Sequence, residues 1–178
     1  MTTDLSKFNN TWFKPGSKLK LITWFLVNAL IFNNPLFPYS GIKVIILRLF
    51  GATVGKKVLI KPSVNIKYPW LLEIGNHVWI GENVWIDNLA LVTIGNNVCI
   101  SQGAMLLCGN HDYKKSTFDL MVGSIIIKDG VWIAAKTVVC PCVVCGTHSI
   151  LTVGSVANKS LDPYGIYKGN PAVKVKDR

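Results

Sequence analysis

The sequence predicts an all-β chain wound into a parallel β-helix of about five triangular coils, preceded by an apolar helical segment. Three observations carry this. First, an aliphatic residue recurs every six positions within residues 52–157: Val54, Ile60 and Ile66; Ile74, Ile80 and Ile86; Ile94, Ile100 and Leu106; Ile127, Ile133 and Val139; then Cys145, Leu151 and Ala157. Second, a small or β-branched residue usually stands four places after the anchor, as at Val58, Val78, Ala104 and Val143. Third, the steps between triplets are eight, eight and twenty-one residues, so most of the extra residues fall at one corner of the cycle. Six is not a helical period, and it is even, so residues one hexad apart share a side of an extended chain. Three sides of six close a coil of about eighteen residues. Coils stacked at the strand spacing of roughly 4.8 Å pair with one another, as in other solenoids.

The chain divides into residues 1–51, an N-terminal apolar and helical segment; residues 52–157, the repeat, with a loop at 107–126; and residues 158–178, a tail. Residues 1–16 are polar with interspersed aromatics (Phe8, Trp12, Phe13) and end at Pro15-Gly16. Ser17 is placed to cap a helix over Leu19 to Phe32, and Pro35 stops it. Its uncharged run, Leu21–Asn34, is fourteen residues. A spanning helix needs about 20. A second apolar piece runs from Ile42 to Phe50 with Lys43 and Arg48. Two readings are compatible: a cap over the open end of the prism, and a membrane-surface anchor through residues 17–50 with lysines near lipid headgroups.

Charge supports the second reading. The formal net charge is +10, but residues 1–67 carry ten Lys/Arg against one acid, Asp4, whereas residues 68–178 carry nine against eight. No nucleic-acid-binding module is recognisable, so basicity points to a membrane surface or an anionic substrate and not to nucleic acid. Five cysteines, an odd number, lie where the repeat wants small residues. With no leader pattern at Met-Thr-Thr-Asp, a reducing cytoplasm is the expected compartment, with the inner face of the membrane as the expected position within it.

Long excursions from a rigid scaffold carry function. The excursion here contains Cys108-Gly-Asn-His-Asp-Tyr113. His77 and His148 occupy the fourth place of a hexad and should lie on the surface. His111 differs, because a neutral imidazole at the base of the loop can serve as a general base. Asp112 or Asp119 could hold its second nitrogen. An exposed loop histidine without a role is the alternative.

The chain resembles the hexapeptide-repeat O-acetyltransferases, and within them those of colanic acid biosynthesis. The resemblance rests on Asp4-Leu-Ser-Lys, Ile66-Lys-Tyr-Pro-Trp70, Val78 to Asn88, Cys99 to Ala104, Gly109-Asn-His-Asp-Tyr113 and Gly169-Asn-Pro-Ala172, and covers nearly the whole chain. It implies a left-handed crossover, which the spacing does not dictate. It implies acetyl transfer from acetyl-CoA to a sugar hydroxyl, in exopolysaccharide or surface-glycan biosynthesis, with His111 as the base. It further implies acceptor contacts or site orientation from Asn88, and Asp112 is the second residue expected to bind the acceptor. CoA contacts would come from Ala134, Ala135, Val153, Asn158, Lys159 and Lys176, in a cleft between the subunits of a homotrimer. Backbone amides around Gln102 to Ala104 are the candidates for an oxyanion donor.

Two other classes compete. One is a non-catalytic β-helix scaffold at the membrane, whose expected signature is loss of His111. The other is a metal enzyme, either like the γ-class carbonic anhydrases through three histidines or through Cys140, Cys142 and Cys145. The histidines lie far apart in sequence, and alternating strand residues face opposite sides, so neither set is expected to converge and no metal is expected.

Overall fold

A computed structural model describes residues 2–178. The repeat forms a left-handed parallel β-helix with three faces. The first face stacks Thr53–Val54, Leu72–Ile74, Val92–Ile94, Ile125–Ile127 and Val144–Cys145. The second stacks Leu59–Ile60, Trp79–Ile80, Cys99–Ile100, Trp132–Ile133 and Ile150–Leu151, and the third Asn65–Ile66, Trp85–Asp87, Met105–Leu107, Val138–Val139 and Val156–Ala157. Registers are anchor on anchor: Ile60 on Ile80, Ile80 on Ile100, Ile100 on Ile133, Ile133 on Leu151. All fifteen anchors are buried in one continuous core.

Tight corners explain the residue choice between strands. Lys57, His77, Asn97, Gly130, His148 and Tyr164 all turn the corner between first and second faces with φ between 55° and 69°. That left-handed region is disfavoured for β-branched residues and tolerated by Gly, Asn and His. His77 and His148 are therefore corner residues, and the His148 ring stacks on Tyr164 at 5.2 Å.

The ladder continues one turn beyond Ala157. Leu161 bridges Cys145 in parallel, and Gly165–Lys168 pairs in parallel with Ile150–Leu151. Val156 N–H then donates to the Gly169 carbonyl (2.9 Å), and Ala172 N–H to the Val156 carbonyl (2.8 Å). Val173–Asp177 folds back antiparallel on Gly165–Lys168 and covers that edge of the second face.

The other end of the prism is closed by two helices, α1 (Lys18–Val27) and α2 (Ser40–Leu49), joined through a π turn at Asn28–Phe32. The Ser17 hydroxyl accepts from Lys20 N–H and caps α1. Trp24, Phe32 and Leu47 complete the core, with the Trp24 ring 5.1 Å from both Phe32 and Phe50. An open first coil would leave a row of unpaired backbone groups. Helix side chains satisfy them. Trp24 Nε1 donates to the Ile66 carbonyl (2.8 Å), Ser40 Oγ accepts from Ile60 N–H (2.8 Å), and Arg48 donates to the Val54 and Gly55 carbonyls (both 2.8 Å). The Lys43 ammonium, fully buried, donates to the Lys61 carbonyl at 2.8 Å, and burial holds its pKa below the usual lysine value. The segment is a cap, and its outer side remains apolar: Leu19, Ile22, Phe25, Leu26, Leu30, Ile45 and Leu49 are all exposed. Among the described residues no helix is long and apolar enough to cross a membrane.

Candidate active site

The loop at 107–126 leaves the prism at the corner between third and first faces and forms a β-hairpin. Gly109–His111 pairs antiparallel with Leu120–Val122, setting His111 opposite Leu120. His111 Nδ1 lies 2.9 Å from the Phe118 carbonyl oxygen. A carbonyl only accepts, so Nδ1 carries the proton and the neutral ring keeps its lone pair on Nε2. The Phe118 ring stacks on the imidazole at 4.3 Å and 6°, and Phe8 packs 5.7 Å away.

A backbone carbonyl thus orients the ring, in place of the expected Asp112 or Asp119. Asp112 Oδ1 accepts from Lys114 N–H (3.1 Å), and Asp119 pairs with Lys115 Nζ at 3.1 Å. The Thr117 hydroxyl and Lys115 hold the Asp119 carboxyl below the usual carboxylate range. Both acids shape the hairpin tip. Phe118 was missed because sequence does not report which carbonyl a tight turn exposes; its φ of 51° marks that turn.

His111 opens on a cavity of about 420 Å³ lined by Phe8, Asn10 and Phe13 from the N-terminal segment, Lys67 and Tyr68 from the first coil, and Asp87 and Leu89 from the second. The N-terminal segment crosses the hairpin as a strap. Asp4 N–H donates to the Ser116 carbonyl (2.8 Å), and Trp70 Nε1 to the Pro15 carbonyl (2.6 Å). Tyr68 lies stacked on Trp70 at 5.4 Å, and burial raises its phenol pKa. Asp87, largely buried, has Lys67 Nζ 2.9 Å from Oδ1, an ion pair outside hydrogen-bonding angles. Lys67, Tyr68 and Asp87 lie within the motifs singled out in sequence, but only the coil stacking shows that they meet His111.

Asn88 is fully buried and touches neither cavity nor solvent. Its Oδ1 accepts from Tyr68 N–H (3.0 Å), and its Nδ2 donates to the Tyr68 (2.5 Å) and Leu71 (3.0 Å) carbonyls. It fixes the loop that presents Tyr68, so of the two expected roles the geometry fits orientation.

The expected CoA residues fall into three places. Ala134, Ala135 and Val153 stack at the corner between second and third faces, where Gly154 N–H donates to the Ala135 carbonyl (3.0 Å). Asn158 and Lys159 lie on the corner that carries the hairpin, two coils further along, and Lys176 sits on the folded-back strand opposite Ile166. One chain therefore does not gather them around His111. The amides of Gly103 and Ala104 already donate to Glu82 and Ser101 carbonyls, at a different corner from His111, and are not an oxyanion donor to it within the chain.

The cysteines are free. Burial pushes the Cys108 thiol up to about 11 and that of Cys145 to about 12, so neither offers a thiolate at neutral pH. Among the described residues no three His, Cys, Asp or Glu side chains gather as a metal site.

A left-handed β-helix with a histidine hairpin at one corner fits the acyl-transfer class that the sequence resembles, and comparison with known proteins agrees on that class. No protein-family model matches the chain. A relative in Escherichia coli strain K12, provisionally named colanic acid biosynthesis acetyltransferase WcaF, is 37% identical over 177 residues, 98% of this chain and 97% of its own. Galactoside O-acetyltransferase of the same strain is 28% identical over 129 residues, 71% of this chain and 64% of its own. Among solved structures, a hexapeptide-repeat acetyltransferase of Vibrio cholerae superposes with a TM-score of 0.81 at 24% identity, covering 90% of this chain and 91% of that one; the same protein has been solved with acetyl coenzyme A. The chain belongs to the hexapeptide-repeat acetyltransferase family, and it is an acyltransferase.

Proposed function

We propose that the protein transfers an acetyl group from acetyl-CoA to a hydroxyl of a sugar, within the assembly of an exopolysaccharide or surface glycan, with His111 as general base. The observation that carries this is the His111–Phe118 geometry: a ring fixed by stacking, with its one proton on Nδ1 and its lone pair on Nε2, beside a cavity. A sugar hydroxyl is too weak an acid to ionise near neutral pH, so a positioned base is required. Nε2 takes the hydroxyl proton as the oxygen attacks the thioester carbonyl. The tetrahedral intermediate collapses, the C–S bond breaks, and the departing CoA thiolate recovers the proton from the imidazolium. No covalent enzyme intermediate forms, in keeping with the high thiol pKa values.

The cavity suits a sugar. Phe8, Phe13 and Tyr68 offer aromatic faces to a ring, and the Asp87 carboxylate is an acceptor for its hydroxyls. Support for acetyl-CoA comes from the family and from solved relatives bound to acetyl coenzyme A and coenzyme A. Because Ala134, Ala135 and Val153 lie on a different corner from His111, the site needs a second copy. A homotrimer would set that corner of one subunit against the hairpin of the next, with Asn158 and Lys159 on the hairpin's own corner and Lys176 on the folded-back strand as the residues to meet the phosphates. The enzyme would work in the cytoplasm at the inner membrane face, held through residues 17–50. Thiol release from acetyl-CoA with a panel of sugars, followed by mass spectrometry of the products, tests the reading. A wild-type protein that acetylates no saccharide would overturn it.

A further inference from the structure

The N-terminal strap walls the catalytic cavity without belonging to the core. Of residues 2–16, only Asp4, Phe8, Phe13 and Pro15 are partly buried, and the others are exposed. Between the strap and the hairpin a second cavity, of about 530 Å³, is lined by Asn9, Thr11 and Trp12 on one side and by Asp112, Asp119 and Met121 on the other. The strap therefore rests on the hairpin along only part of its length. So little apolar burial contributes little to stability, and such segments are the first parts of a fold to open.

Its ends are nevertheless tied. Near the start, Asp4 N–H donates to the Ser116 carbonyl (2.8 Å). At the far end Trp70 holds it: Nε1 donates to the Pro15 carbonyl at 2.6 Å, and a Cβ on Gly16 would stand 3.3 Å from the indole. Lys20 Nζ of α1 lies 4.1 Å from the centre of the same ring. Tyr68 stacks on this indole at 5.4 Å, and the Phe13 ring lies 6.4 Å from Tyr68. Between the two ties, Phe8 and Phe13 line the His111 cavity, with Phe8 5.7 Å from the imidazole. Trp70 itself stands outside that cavity.

We propose that Trp70 is a positioning residue for the acceptor: it latches the strap so that Phe8 and Phe13 form the wall on which the sugar ring packs beside His111. This deepens the acyl transfer proposed above and rests on that reading. Trp70 acts through the strap and touches neither acceptor nor base. With the latch closed the cavity has three aromatic faces, and with it open only Tyr68 remains. Apparent affinity for the acceptor then falls with the closed fraction. His111 and the Phe118 carbonyl that orients it both belong to the hairpin, so opening the latch leaves the base in place.

Two readouts on the full chain test this. Hydrogen–deuterium exchange reports opening of the strap with no ligand added. Trp70→Phe keeps a ring beneath Gly16 but has no donor for Pro15. One hydrogen bond contributes about fivefold to such a balance, so exchange across residues 2–16 should quicken about fivefold while the coils stay unchanged. Kinetics use methyl galactopyranoside, methyl glucopyranoside and N-acetylglucosamine from the sugar panel, with water as the small competitor, read as acetyl-CoA hydrolysis. In Trp70→Phe the saccharide KM should rise about two- to fivefold. Saccharide kcat, acetyl-CoA KM and hydrolysis should stay within about twofold, the pattern of lost binding rather than lost chemistry. Phe13→Ala removes part of the wall and leaves the latch, and should raise the same KM about two- to tenfold. Unchanged strap exchange in Trp70→Phe would overturn the latch. A saccharide KM unmoved in both variants would overturn the acceptor role, and so would a parallel fall in kcat and hydrolysis, which marks general damage to the site. A wild-type protein that acetylates no saccharide of the panel overturns the sugar reading and the acceptor role with it, whereas the exchange result judges the latch by itself.

Discussion

Replacing Asn88 with alanine separates a positioning role from direct contact with the acceptor. Its side chain is fully buried and spends all three of its hydrogen bonds on the loop at Tyr68 and Leu71. In Asn88→Ala, Tyr68 N–H and the Leu71 carbonyl lose the partners described, while the Tyr68 carbonyl keeps Leu71 N–H at 3.0 Å. Each orphaned buried group costs about 1–3 kcal/mol. The loop is half-buried, so the two together should cost about 2–4 kcal/mol. At about 2–4 °C per kcal/mol for a chain of this size, the melting temperature should fall by roughly 4–16 °C. Tyr68 walls the His111 cavity, so the acceptor KM should rise several-fold while the acetyl-CoA KM stays within twofold. Differential scanning fluorimetry and steady-state kinetics measure both. Asn88→Asp keeps the acceptor for Tyr68 N–H but loses both donors and buries a charge, so it should be at least as unstable. A melting temperature within 1 °C of wild type for Asn88→Ala would refute the assignment.

Other outcomes follow from the same geometry. Phe118→Ala removes the ring stacked on His111 but not the carbonyl that orients it; kcat should drop about tenfold with little change in acetyl-CoA KM, as expected for a loosened base. With Ellman's reagent at pH 8, exposed Cys142 should react quickly, and Cys108 and Cys145 only on unfolding. The raised thiol pKa values also set a sign: their contribution to stability is complete below the unfolded thiol value near 9 and is lost as pH climbs toward 11 and 12. Lys43 acts oppositely. Its depressed native pKa means the unfolded chain binds more protons, so stability should rise with pH from that depressed value up to 10.5, a slope that Lys43→Met abolishes in paired denaturation curves.

The coil was legible because its rule is local: every anchor repeats at a fixed step, and each proved inward and buried. The sixth turn was not, although Leu161 and Tyr167 keep the six-residue step and are both buried. Asn158, Lys159 and Pro163 around them read as tail, and the step from Ala157 to Leu161 is four. The polar residues of the cap, Ser40, Lys43 and Arg48, gave no sign of their purpose, since the backbone edge they satisfy exists only once the first coil has formed. At the site, His111 stood out because it sits on the one long excursion. Its orienting group did not, because a carbonyl has no side-chain signature. Asp87 and Tyr68 reach the cavity from different coils, twenty residues apart in stacking register, and sequence shows such neighbours only after the coil length is known.

The most direct test is transfer by His111→Ala beside wild type, in saturating acetyl-CoA with whichever saccharide wild type acetylates, over a range of pH. Loss of the base should lower kcat by about 10²–10⁴-fold, with the melting temperature and acetyl-CoA binding retained. A variant that transfers acetyl at the wild-type rate would contradict the account.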